Sequence, residues 1–163
     1  MHNKDTCIVS ANMAYYLILS TLLPLSPVIS HSRLWHCNVP LKNKCFLWLC
    51  IENHINTWDN LTKKGWAGPS RCCLCRTNEE SMNHLFVGCS FTRAIINILH
   101  KKFNYSLVWN DSSFLVNLED WFRERECLYL PLFFIWNLWI SWNFCIFEDK
   151  RPELIPLCYK IME

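Results

Sequence analysis

The chain has 163 residues, 52% of them apolar and 15% aromatic, which is enough to build one hydrophobic core and too apolar for a disordered polypeptide. A formal net charge of +2 is too small to drive polyanion binding by field strength alone, so any basic function is local. The only glycines, Gly65, Gly68 and Gly88, are too few and too scattered for a phosphate-cradling loop, which excludes the common nucleotide-binding motifs.

In chain order, β-branched residues from Thr6 to Ser10 predict a short strand, and Ala11 to Leu23 a helix stopped by Pro24. His31 to Pro40 reads as a connector. Pro40 then suits the first turn of a helix over 41–54, with Cys45, Phe46, Leu49 and Cys50 inward and Lys42, Asn43 and Glu52 facing solvent. Thr57 is placed to cap a short helix over 58–64, with Asp59 in its first turn, Lys63 and Lys64 in its last, and Gly65 to end it in the left-handed conformation. Ser90 is placed to cap a helix over 91–103 that carries Lys101 and Lys102 near its carboxyl end. A loop at 110–113 precedes a helix over 114–125, and Pro131 separates that helix from a Trp-rich one. The resulting fold class is mainly α: a small helical module with a single zinc-knuckle-like site and a short N-terminal strand.

Two apolar runs invite other readings. Residues 14–29 carry no charge and resemble a signal peptide, but Asp5 stands in the would-be basic region and Pro24 and Pro27 interrupt the run. Residues 128–147 are long enough for a membrane helix. Yet Trp136, Trp139 and Trp142 fall mid-segment and not at interface depth, and their spacing of three fits one face of a helix packed on a protein core.

Eleven cysteines fit either a disulfide framework or metal ligation, and their spacing separates the two. Between Gly68 and Ser90 the pattern is Cys72-x2-Cys75, eight residues, then His84-x4-Cys89. A Cys-x2-Cys turn presents two thiolates to one metal, and a His and a Cys close the tetrahedron that zinc prefers. Three thiolates and one imidazole saturate the ion, leaving no position for water or substrate, so such a site stabilises a fold and activates no nucleophile. Chance spacing in a Cys-rich chain is the alternative. Cys73 offers only the less usual Cys-x-Cys spacing and is assigned to packing beside the site. Cys7, Cys37, Cys45, Cys50, Cys127, Cys145 and Cys158, among apolar neighbours, read as buried thiols. Thiolate ligation points to a reducing compartment, nucleus or cytoplasm.

Trp35, Val39-Pro40-x-Lys42, Phe46-Leu47-Trp48, Thr57-x-Asp59-x-Leu61, Gly65, Cys72-x2-Cys75, Glu80, His84-Leu85-Phe86 and Cys89 occur in that order. This series resembles the reverse transcriptase zinc-binding domain, which follows the polymerase in plant non-LTR (LINE-type) retrotransposons and also occurs as stand-alone fragments. The resemblance is specific from Trp35 to Phe91. Weaker likenesses flank it at Cys7 to Tyr15 and at Trp136 to Phe147, and they favour a soluble reading of both apolar runs. Arg76 departs from the family's usual Gly after the second Cys, and Trp142 from its usual Arg before Asn143. Arg76 is therefore expected to strain a left-handed position.

The domain organisation this implies is a lead-in segment at 1–34, a zinc-binding domain at 35–103 and a helical Trp-rich segment at 104–163. No Tyr-x-Asp-Asp pattern or carboxylate cluster suited to two-metal chemistry is present, so no catalytic centre is expected. The resemblance implies a structural Zn2+, held by Cys72, Cys75, His84 and Cys89, in a module that helps a reverse transcriptase polyprotein engage RNA or DNA. Lys42, Lys44, Lys63 and Lys64 are the candidate phosphate contacts, and no small-molecule substrate is implied. A protein-interaction scaffold is the competing reading, and a membrane protein using 14–29 and 128–147 a third.

Overall fold

The computed structural model describes residues 31–103, 109, 113–123 and 129–162. The expected strand at 6–10, the helix at 11–23, the apolar run at 14–29, Cys7 and Cys127 lie outside the described residues. The elements are α1 (His31–His36), α2 (Leu41–Ile51), α3 (Trp58–Lys63), a π-helical turn (His84–Gly88), α4 (Ser90–Phe103), α5 (Phe114–Arg123), α6 (Leu130–Glu148) and α7 (Leu154–Met162). Among the described residues β pairing is limited to one antiparallel bridge, Arg71 with Glu79, so the mainly helical expectation holds.

Helix α1 occupies part of the stretch expected to be a connector. In α2 Pro40 takes the N-cap position, with φ −53° and ψ 139°, and its carbonyl accepts the Asn43 N–H at 3.0 Å. The buried stripe of α2 is Asn43, Phe46, Leu47 and Cys50. That corrects two expectations: Asn43 is buried where solvent was expected, and Cys45 is exposed where a buried thiol was expected. Both follow from one rotation of the helix, because a stripe at 43, 46, 47 and 50 leaves position 45 about 100° or more away. Neither polar atom of the Asn43 side chain has a hydrogen-bond partner.

Helix α2 ends at Ile51, short of the expected His54. Asn53 adopts φ 54°, its N–H bonds to the Cys50 carbonyl at 3.0 Å, and the His54 N–H reaches back to the Leu49 carbonyl at 2.8 Å. This is a Schellman ending with Asn in the place usually held by Gly. Helix α3 ends the same way with Gly65 at φ 86°, Gly65 N–H on Thr62 and Trp66 N–H on Leu61. The left-handed termination expected of Gly65 is therefore present.

Helix α6 is the spine. It is 19 residues long with Pro131 in its first turn, and it packs against α2 and α7, while α7 packs in turn on α4. Phe46 of α2 lies against Trp136 edge-on, at 5.3 Å between centroids, and against Trp139 at 5.4 Å. Each such ring buries a large area and prefers these edge-on and offset arrangements. By length and composition α6 is apolar enough to cross a membrane, but 56% of its 18-residue apolar window is buried inside the protein. Its polar residues are satisfied within the helix: Asn137 donates to the Phe133 carbonyl, Ser141 to Asn137 and Asn143 to Trp139. Bonding to the carbonyl four residues back lets a helix with no charge before Glu148 carry amides and a hydroxyl into a core.

Candidate metal centre

Cys72 and Cys75 sit on a tight hairpin. Its arms are joined by Cys72 N–H to the Asn78 carbonyl at 2.9 Å and Glu80 N–H to the Ser70 carbonyl at 2.8 Å. Between the arms the Arg76 N–H folds back onto the Cys72 carbonyl at 2.8 Å, and Arg76 takes φ 59°. This is the left-handed position expected of the residue after the second Cys, filled by a side chain that bears a steric penalty there. The turn aims backbone N–H groups at sulfur: those of Leu74 and Cys75 at Cys72, and those of Thr77 and Asn78 at Cys75. The Thr77 hydroxyl adds a further donor to Cys75 Sγ at 3.2 Å.

His84 and Cys89 come from the π-helical turn. In an α-helix residues five apart point about 140° away from each other. A π turn, which bonds residue i to i+5, brings them back to one side. The closing bond here is Cys89 N–H to the His84 carbonyl at 2.6 Å. Ser81 starts the turn, its hydroxyl accepting the His84 N–H at 3.1 Å. Widening a helix frees carbonyls, and three are taken by side chains: Leu85 by the Thr92 hydroxyl at 2.6 Å, Phe86 by the Trp109 indole at 2.7 Å and Val87 by Arg93 at 3.4 Å.

Cys89 also caps α4. Its carbonyl accepts the Arg93 N–H at 2.9 Å, and its sulfur receives the N–H groups of Thr92 and Phe91. The expected cap, Ser90, is instead the first helical residue. A thiolate at an N-cap gains from the orphan N–H groups and from the positive end of the helix.

The four ligand atoms all lie within 4.8 Å of one another, with Cys72 Sγ to Cys89 Sγ at 4.0 Å and Cys75 Sγ to His84 Nε2 at 3.2 Å. A tetrahedral zinc with bonds of about 2.3 Å to sulfur and 2.0 Å to nitrogen needs ligand separations of roughly 3.5 to 3.8 Å. The two named pairs lie within a few tenths of an ångström of those values, and a bound zinc would draw the widest pair, at up to 4.8 Å, together by about 1 Å. Its titration is that of ligands crowded around shared protons. A hydrogen bond from Cys72 pulls the Cys89 thiol far down, helped by His84, and the same contact pushes Cys72 up. Burial pushes Cys75 up, but the Thr77 and Asn78 donors outweigh it and leave the thiol below its ordinary value. The Cys89 thiolate, then Cys75, raises His84 against the effect of burial. A divalent cation bound there replaces those protons.

A carboxylate whose role sequence reasoning missed braces the centre. Glu80 is buried; Oε1 accepts the Trp58 N–H of α3 at 3.1 Å and Oε2 the Trp142 indole N–H of α6 at 2.6 Å. One side chain thus ties the hairpin to two helices. It also accounts for Trp142, whose indole supplies a neutral donor to a buried carboxylate. Burial raises the Glu80 pKa and the two donors oppose that rise. The available signals were the Glu79-Glu80 pair between the Cys pair and the His, which does not say which of the two is buried, and Ser81 three residues before His84, which is N-cap spacing. Cys73 is half-buried against the core, its carbonyl accepting the Cys145 thiol at 3.4 Å.

The candidate lysines do not form one patch. Lys42 lies over the Trp136 ring at 5.5 Å and Lys44 donates to the Trp35 carbonyl at 2.9 Å, both near the start of α2. Lys63 and Lys64 line a cleft at the other end of that helix with Glu52, Asn53, His54 and Asn60. The two pairs thus lie toward opposite ends of α2, whose 11 residues rise about 16 Å.

A family model described as zinc-binding in reverse transcriptase matches residues 10–95, a stretch that takes in the apolar run at 14–29. No curated protein and no solved structure matches the chain. Because the match spans more than half of the 163 residues and contains all four clustered ligands, the chain belongs to the family of zinc-binding domains in reverse transcriptase.

Proposed function

We infer that this chain is a non-catalytic zinc module of a retroelement-derived protein of the plant LINE type, in which Cys72, Cys75, His84 and Cys89 hold a structural Zn2+ and the module assists nucleic-acid binding. The observation that carries the reading is the closed ligand set, four protein atoms within 4.8 Å of one another. Saturated coordination leaves the ion no open position for hydrolytic chemistry, and the site's use is to fix the hairpin, the π turn and the start of α4. Family membership supports a place beside a reverse transcriptase.

The test is binding of labelled single-stranded and duplex oligonucleotides by the zinc-loaded chain and by the same chain after chelation. Affinity that falls with salt and disappears on chelation is expected. No binding at low salt would overturn the nucleic-acid role. A scaffold reading would then stand, and one observation favours it: Phe144, Phe147, Ile155 and Tyr159, at the end of α6 and on α7, are exposed.

A further inference from the structure

Resting on that nucleic-acid reading, we propose that the end of α3, with Lys63, Lys64 and Trp66, is a binding site for single-stranded nucleic acid, Trp66 stacking on a base and the two lysines contacting flanking phosphates. Trp66 is 65% exposed, although an indole ordinarily buries most of its surface. Its backbone is anchored, because its main-chain N–H closes the Schellman ending of α3 on the Leu61 carbonyl at 3.1 Å. A solvent-facing aromatic ring on an anchored backbone, with only two side-chain torsions to fix, is a stacking platform that loses little freedom when a base covers it.

The lysines beside it are hydrogen-bonded to neutral side chains. Lys63 Nζ donates to the Asn60 side-chain oxygen at 3.1 Å and Lys64 Nζ to that of Asn56 at 2.8 Å. Both partners are neutral, and neither lysine has a carboxylate partner among the described residues. They border an open cleft of about 290 Å3, with His54 and Asn53 opposite and Glu52 as the one acidic group. Asn60 Nδ2 donates to the Asn53 and Ile55 carbonyls at 2.8 and 3.0 Å, tying the connector that follows α2 to α3 at the floor of the site. The Schellman bonds occupy carbonyls at both helix ends, which lessens the negative field an anion meets there. Lys42 and Lys44, already engaged with Trp136 and a backbone carbonyl, are not part of the site. An exposed ring suits bases that are already unstacked, so single strands are preferred over a duplex.

The experiment measures anisotropy of a labelled oligothymidylate, and of a duplex of equal length, with the zinc-loaded full chain across a salt series. Trp66→Ala is expected to weaken single-strand binding about tenfold or more. Lys63→Ala with Lys64→Ala is expected to flatten the slope of log affinity against log salt by about 1.4, at roughly 0.7 for each phosphate no longer neutralised. The Lys42→Ala, Lys44→Ala pair leaves that slope unchanged. All these side chains are surface-exposed or half-exposed, and zinc content verifies that each variant is folded. Wild-type binding that is insensitive to Trp66→Ala, that flattens with the Lys42 and Lys44 pair instead, or that is as tight for duplex overturns this site while leaving the nucleic-acid reading intact. Failure of the wild type to bind either probe overturns both.

Discussion

From Ser70 to Arg93 the chain is held by directional contacts: four ligand atoms, N–H groups aimed at sulfur, a π turn whose carbonyls are taken one by one, and a buried Glu80. Around α6 it is held by area, with Phe134, Ile135 and Leu138 fully buried and Phe46 packed between Trp136 and Trp139. Directional contacts fail together when one member goes, because each leaves its partner unsatisfied in a poorly solvated place. Area fails in proportion to what is removed. The two regions therefore respond differently to substitution, although one core cluster runs through both.

Outside the metal ligands, the largest effect from a single side chain is expected in the aromatic bundle. Phe134 is fully buried and its ring lies 5.7 Å from that of Trp109. Phe134→Ala should lower stability by about 3 to 5 kcal/mol in denaturant unfolding, while the folded fraction keeps its metal. Retention of stability would remove the claim that area holds this half.

Glu80 joins the two regions, and its removal comes next. Glu80→Ala orphans the Trp58 N–H and the Trp142 indole and should cost about 2 to 3 kcal/mol at neutral pH. Glu80→Gln keeps an acceptor and should cost less. The pH dependence has a defined sign. A carboxyl with a raised folded pKa contributes stability that is fully present below its unfolded pKa and is lost as pH rises through the folded one. Wild type should therefore lose stability relative to Glu80→Gln across that interval, as read from unfolding midpoints at several pH values; a difference that widens the other way would contradict the burial of this group.

Asn43 stands on the α2 face that meets the bundle with no partner for either polar atom. Asn43→Leu, of similar volume, should raise stability by about 1 to 2 kcal/mol. A loss would mean that the amide is satisfied in solution. The smallest effect belongs to the hairpin: Arg76→Gly relieves a side chain at φ 59° and should gain about 1 kcal/mol, read as tighter zinc retention against a competing chelator.

Family resemblance pointed to the left-handed position at Arg76; the ligand spacing, the left-handed ending at Gly65, the approximate extents of α2 to α6 and the packing of the Trp-rich run against the core were legible in the sequence itself. Each is set by a few adjacent residues whose chemistry leaves little choice. The inward stripe of α2 was not legible, because Cys45 and Cys50 look equally apolar and only the tertiary rotation decides between them. Nor was the cap of α4, where a Cys serves in a position that the sequence assigns to the Ser beside it. The Glu80 brace joins residues 58, 80 and 142, and no local pattern connects positions so far apart.

The most direct test of the central claim is elemental analysis of the full chain purified with zinc present, comparing wild type with His84→Ala and Cys75→Ser. About one zinc per wild-type chain is expected, with its loss in both variants together with loss of cooperative unfolding in the Ser70 to Arg93 segment. A wild type that folds cooperatively without binding zinc, or variants that retain a full equivalent, would contradict it.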